Sequence, residues 1–186
     1  MPDPLAPGLL IAVPQLPDPN FHRSVVFLME HDENGALGVV VNRPSNLKIG
    51  ELFQKMGLTY SGSSEARVLL GGPVQTEGGL VIHAEGNAPE DSRAITESIF
   101  VCSNHGALSR LFERPASRAL FLLGHAGWGG GQLEREVEAG VWIPAAIDEA
   151  IVFDVQRHVV WEMALRSLGI DPATIVSGGN PDAGTN

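Results

Sequence analysis

The chain has a single cysteine, Cys102, among its 186 residues, which excludes an internal disulfide framework and suits a reducing compartment. Positive charge is scarce: 12 Lys and Arg stand against 22 Asp and Glu, for a formal charge of −10 and a pI near 4.9. The average field therefore repels phosphate, and no run of Lys or Arg supplies a local exception, so no direct nucleic-acid partner is expected. Long apolar runs are missing as well. None approaches the ~18 residues of a membrane span. The segment Met1-Pro-Asp-Pro-Leu-Ala-Pro7 has neither the basic start nor the apolar stretch of a signal peptide. A cytosolic protein with no membrane partner is expected. Charged residues of both signs reach only 18% while hydrophobic ones make up 44%, which excludes a disordered chain and predicts a packed core.

The motifs of several common chemistries are also missing. Six histidines stand at positions 22, 31, 83, 105, 125 and 158. They form no His-x-His and no His-Glu-x-x-His pair, so metal binding has no local signature. No Gly-x-Ser-x-Gly elbow points to a serine nucleophile. The stretch Gly124-His-Ala-Gly-Trp-Gly-Gly-Gly131 lies between a predicted strand and a predicted helix, where a phosphate loop would sit. Its spacing fails, because Gln132 holds the third glycine position of Gly-x-Gly-x-x-Gly and no Gly-Lys-Ser/Thr follows. Glu134 and Glu136 then place negative charge where a phosphate would need the helix dipole. No cofactor is expected. Cys102 has His105 three residues on, yet an apolar strand precedes it and no Lys or Arg is near, so a buried, ordinary thiol is the expectation.

What is present reads as alternating short elements. Gly8–Val13 predicts a strand stopped by Pro14, Pro17 and Pro19. Phe21–His31 and Ala36–Val41 flank a polar Asn34-Gly35 turn and predict a hairpin. Ile49, Leu52, Phe53 and Met56 recur at i, i+3, i+4 and i+7, predicting an amphipathic helix over 47–56 that ends at Gly57. Arg67–Leu70 and Leu80–His83 predict strands bracketing a hairpin-like turn over Gly71–Gly79. Ile95–Cys102 predicts a strand, followed by a short helix carrying Leu108, Leu111 and Phe112 that Ser103 would cap. Arg118–Leu123 predicts a buried strand, 124–131 a glycine-rich elbow, and Gln132–Ala139 a helix ending at Gly140. Strands are expected around Val141–Ile143 and Ala150–Phe153. A last helix is expected from an Asp154 N-cap to Gly169, with His158, Glu162 and Arg166 as its polar stripe. Strands in pairs with irregularly interspersed helices predict a single α+β domain over 1–176, with 177–186 as a frayed tail.

The order and spacing of several motifs resemble the AlgH/YqgE family from Gly8 to about Ile170. They are Gly8-Leu-Leu-Ile-Ala12, Asp18-Pro-Asn-Phe21 leading into Ser24-Val-Val26, Glu30-His31, Gly35-Ala-Leu-Gly38, Val41-Asn-Arg-Pro44, Gly71-Gly-Pro-Val74, His125-Ala-Gly-Trp-Gly129 with Gly131-Gln-Leu-Glu134, and Trp142. Trp161 and Leu168-Gly-Ile170 resemble the family's C-terminal helix. Gly130 departs from the pattern, standing where the family often has proline, which implies a looser elbow. The resemblance implies a strongly bent, mostly antiparallel sheet with packed helices. It also implies a regulatory role, since members are often labelled transcriptional regulators after a genetic link to alginate production, and it carries over no catalytic residue.

The leading expectation is a non-catalytic regulatory or binding protein that acts through a protein or small-molecule partner. A second class is an enzyme assembled from polar residues at strand ends: Asp18, His31, Asn42, His83 and His125. A third, a direct DNA-binding regulator, is opposed by the charge. Trp128 is expected to be a structural plug first and a partner anchor second, because it is the one bulky side chain among the glycines around it. The acidic cluster Glu134–Glu138 reads as a solvated face.

Overall fold

Alternation in three early strands decides how the sheet is covered. In β1 (Gly8–Ala12), β2 (Val25–Asp32) and β3 (Gly35–Val40), Leu9, Ile11, Val25, Phe27 and Val39 turn to one face. Leu10, Ala12, Val26, Leu28 and Val40 turn to the other. With both faces apolar, both must be covered, and the rest of the chain does so. The structure, a computed structural model, describes residues 5–84, 91–103 and 118–177. The expected helix around Leu108–Phe112, with His105, lies outside the described residues, as does the tail beyond Ser177.

The remaining elements are β4 (Pro44–Lys48), α1 (Ile49–Lys55), β5 (Arg67–Leu70), β6 (Val74–Ala84), β7 (Arg93–Ala94), β8 (Ile99–Cys102), β9 (Ala119–Gly129), α2 (Gln132–Glu138), β10 (Trp142–Ala145), α3 (Val160–Ser167) and α4 (Pro172–Ser177). The curled, ten-stranded sheet runs β10-β1-β2-β3-β9-β6-β8-β7, with β4 and β5 attached beside β9. Every pairing is antiparallel except β5 with β9. The α+β architecture is the expected one. Val160, Trp161, Ala164 and Leu165 of α3 cover the first face, and Leu133 of α2 covers the second. A separate cluster packs Ile49 and Phe53 of α1 against Val81, Cys102 and Phe121.

Six local expectations need correction. The strand expected from Ile95 begins only at Ile99, because residues 95–98 form the turn between β7 and β8, where the N–H groups of Ile95 and Thr96 donate to the Ile99 carbonyl. Residues 71–79 do not form a hairpin turn: β5 and β6 lie on opposite edges of β9, and the chain crosses that strand at Gly71-Gly72. The crossing is so close that a Cβ at Gly72 would stand 2.2 Å from the carbonyl carbon of His125. Likewise 124–131 is not an elbow. β9 bends at Gly124 (φ 72°) and continues to Gly129, with Leu37 opposite Gly127 and Ala36 opposite Trp128. Only Gly130 and Gly131 turn into α2. The second strand begins at Val25 because Phe21–Ser24 closes a tight turn, in which the Ser24 backbone N–H and hydroxyl both donate to the Phe21 carbonyl. Ala150–Asp154 is a π-helical turn and not a strand. Asp148 Oδ1 accepts from the backbone N–H groups of Ala150 and Ile151 at its start. The helix expected from Asp154 starts at Val160, so Asp154 does not cap it and instead receives two bonds from the Arg118 guanidinium. His158 precedes the helix, leaving Glu162 and Arg166 as the stripe.

Candidate functional site

Two clefts flank the distal half of β9, and the predicted site residues divide between them and three structural positions. The larger cleft, of about 560 Å³, lies where β6, β8 and the Gly124 bend meet. Met29, Leu37, Leu80 and Val101 supply its apolar lining, and Asp91, Arg93 and His125 supply titratable groups. His125 is presented there by the bend itself, since Gly124 in the left-handed region redirects the strand immediately before it. Arg93 is anchored by an ion pair to Glu30.

Cys102 reaches the same cleft but is 3% exposed, and burial pushes its thiol up to about 11, with a Ser92 hydrogen bond opposing the shift. Only a trace of thiolate exists at neutral pH, and the thiolate is the nucleophile. Native protein is accordingly expected to react with iodoacetamide at neutral pH far more slowly than unfolded protein does. Equal rates, followed by mass, would overturn this placement.

The smaller cleft, about 230 Å³, is walled by Phe21, Trp128 and Trp142, with Asp18, Gln132 and Glu136 as its polar members. Here the structure brings together two predicted residues, Asp18 and Trp128. Trp128 is 7% exposed, and its ring centroid stands 5.9 Å from that of Trp142 in an edge-on arrangement. Both indole N–H groups donate to one oxygen, Glu136 Oε2, at 2.9 and 2.8 Å. Gln132 Nε2 donates to Oε1 of the same carboxylate at 2.8 Å. Glu136 is thus no solvated face but the acceptor that two buried indoles require. A signal for it was available: buried tryptophans need an acceptor, and Glu136 stands between Trp128 and Trp142 in sequence, four residues from Gln132.

The other predicted residues are spent on structure. His31 bridges the chain start to α2: Nδ1 accepts from the Leu5 N–H, and Nε2 donates to Glu134 Oε1 at 3.0 Å. Glu134 is held below the ordinary carboxylate range by its own backbone N–H and then by His31. Asn42 clamps the turn before β2, its Oδ1 accepting from the Val25 N–H and its Nδ2 donating to the Arg23 carbonyl. Arg43 adds bonds to the carbonyls of Pro19 and His22. His83 is 1% exposed and stacked on Phe100. The Ala84 carbonyl can only accept, so Nδ1 carries the proton and Nε2 accepts from the Ser92 hydroxyl. Burial lowers its pKa, which keeps that neutral form in place. Asp18, His31, Asn42, His83 and His125 therefore do not converge on one centre.

Sequence and structure comparisons agree with this architecture. Residues 9–173 match the family DUF179, described as AlgH-like, and the chain belongs to that family. It is 42% identical to a UPF0301 protein of Myxococcus xanthus over 176 residues, covering 94% of this chain and 96% of that one. A UPF0301 protein of Xanthomonas campestris pv. campestris is 41% identical, with 92% and 93% covered. Among solved structures, the solution structure of the AlgH protein from Pseudomonas aeruginosa aligns at a TM-score of 0.76 and 31% identity, covering 100% of this chain and 98% of that one. A crystal structure from Corynebacterium diphtheriae, at 21% identity and a TM-score of 0.72, covers 87% and 85% and shares the fold.

Proposed function

We propose that this protein is a cytosolic, non-catalytic binding protein whose ligand is a small molecule held in the cleft between β6, β8 and the Gly124 bend. The observation that carries the reading is the combination of size and lining. About 560 Å³ of concave space joins an apolar wall to a few placed polar groups, the ordinary composition of a small-molecule site. Met29, Leu37, Leu80 and Val101 would take the apolar body of the ligand. Arg93, already paired with Glu30, would fix its polar end together with Asp91 and His125, which favours a polar group carrying both donors and acceptors there. Two facts favour binding over catalysis: the thiol in the cleft is held protonated, and the neighbouring imidazole of His83 is sealed with both nitrogens engaged.

A regulatory role follows if occupancy stiffens the seam where β6 meets β9. That seam joins the two halves of the sheet, so a partner protein could sense whether it is filled. The single cysteine and the absence of a long apolar helix among the described residues agree with a cytosolic setting.

The test equilibrates the protein with a small-molecule extract of the source cells and weighs it by native mass spectrometry. A discrete adduct is expected on the unaltered chain, weakened at least about tenfold, or about 1.4 kcal/mol, in both Arg93→Ala and His125→Ala. An adduct indifferent to both changes would contradict the assignment, as would none at all.

A further inference from the structure

The smaller cleft lies apart from the proposed ligand site, on the side of α2, and carries a chemistry of its own. We infer that it binds a cationic group, a guanidinium or an alkylammonium, against the rings of Phe21, Trp128 and Trp142. Its lining includes two carboxylates, Asp18 and Glu136, and no Lys, Arg or His. Neither acid is neutralised by an ion pair among the described residues.

Each carboxylate is held in place by neutral donors. Glu136 accepts from two indole N–H groups and the Gln132 amide. Asp18 Oδ1 accepts from the Asn20 backbone N–H at 2.8 Å, while its Oδ2 makes no hydrogen bond among the described residues. Neutral donors orient a carboxylate without cancelling its charge, so the cleft keeps two negative charges beside aromatic walls.

The rings add to this field. Both indole N–H groups donate to Glu136, so the most positive point on each ring edge is offset by that carboxylate. The Phe21 ring stands 5.6 Å from Trp142 and 6.4 Å from Trp128, so the three rings pack together as one aromatic wall of the cleft. A weakly hydrated cation gains on such a wall both from the ring faces and from the nearby carboxylates, whereas an anion is repelled and a neutral apolar group leaves both acids uncompensated. At about 230 Å³ the space suits one compact head group with a short tail.

The three tryptophans make the test specific. Trp161 lies elsewhere, donating its indole N–H to the Ala12 carbonyl beneath Arg23, and serves as an internal control. In 1H–15N spectra of the full chain, butylguanidinium should shift the indole resonances of Trp128 and Trp142 saturably in the millimolar range and leave Trp161 in place. Butylurea, nearly the same shape without the charge, should not. Asp18→Asn keeps the Oδ1 acceptor for Asn20 and removes the charge, so it should raise the butylguanidinium Kd about five- to tenfold with the indole peaks still dispersed. A short arginine-containing peptide that binds more tightly than butylguanidinium would identify a protein side chain as the natural source, and equal affinity would identify a free small cation. Equal shifts with butylurea, no shift with butylguanidinium, or an unchanged Kd in Asp18→Asn would each overturn the inference.

Discussion

Trp128→Ala is expected to lower the unfolding free energy by about 3 to 5 kcal/mol, the usual cost of emptying a large aromatic site. The ring is 7% exposed and packs with Phe21, Trp142, Ala126 and Leu133 on the second face of the sheet. Truncation would also strip one of the three donors from Glu136, leaving a partly buried carboxylate with weaker compensation. Urea denaturation reads the change as a lower midpoint at constant slope. The opposing view, that the glycines hold the ring outward as a partner anchor, requires an unchanged midpoint with loss of partner binding. An unchanged midpoint would therefore move Trp128 from the core to an interface.

Gly72→Ala is expected to cost as much, about 3 to 5 kcal/mol, as the sum of backbone strain and overpacking. Gly72 has φ 153°, and its added Cβ would meet the His125 carbonyl carbon and oxygen, each at 2.2 Å, and the Ala126 nitrogen at 2.6 Å. These are backbone atoms of β9, fixed by pairing to β3 and β6, so no side chain can swing aside. The reciprocal contact is as tight: a Cβ on Gly124 would stand 2.4 Å from the Gly72 carbonyl oxygen. Gly127→Ala is the matched control. It lies in the same strand, its Cβ would meet nothing within 4 Å, and its cost should stay within about 0.5 kcal/mol. Thermal or urea unfolding of the pair decides it. Equal, small effects at both positions would mean that the crossing is not the tight junction described.

The contrast between those two glycines also shows which parts of the fold were legible in the sequence. Features decided by a few neighbouring residues could be read directly. The β2–β3 hairpin follows from Asp32-Glu-Asn-Gly35, where Asp32 Oδ1 accepts from the N–H groups of Asn34 and Gly35. The helix stops at Gly57, Gly140 and Gly169 all have φ near 70°. Features decided by distant partners could not. Gly71-Gly72 and Gly78-Gly79 read as a hairpin turn because nothing local says that β9 must pass between β5 and β6. The apolar run Ala150–Phe153 reads as a strand. It is held instead as a π-helical turn, with Arg157 donating to the carbonyls of Val41, Val152 and Val155 from a partly buried position whose desolvation lowers its pKa. β4, with the polar sequence Pro-Ser-Asn-Leu-Lys, is a strand only because β5 lies beside it.

The candidate site divides along the same line. His125 and Trp128 could be singled out from a glycine-rich stretch that had to be close to something. Asp18 could be singled out as a polar group at the end of an apolar segment. Their partition into separate clefts and the use of His31, Asn42 and His83 as braces depend on contacts farther apart in sequence. The contacts of Glu136 to the two indoles span only six and eight residues and left a local signal, whereas the His31 contact to Glu134 spans 103.

The central claim, that the cleft at the Gly124 bend holds a small-molecule ligand, is tested most directly by hydrogen exchange on the protein carrying the adduct seen by native mass spectrometry. Binding there should slow exchange in residues 75–80, 101–103 and 124–125, which line or border the cleft, and leave the α2 side with Trp142 unchanged. Protection confined to other surfaces, or none with the adduct present, would contradict the account.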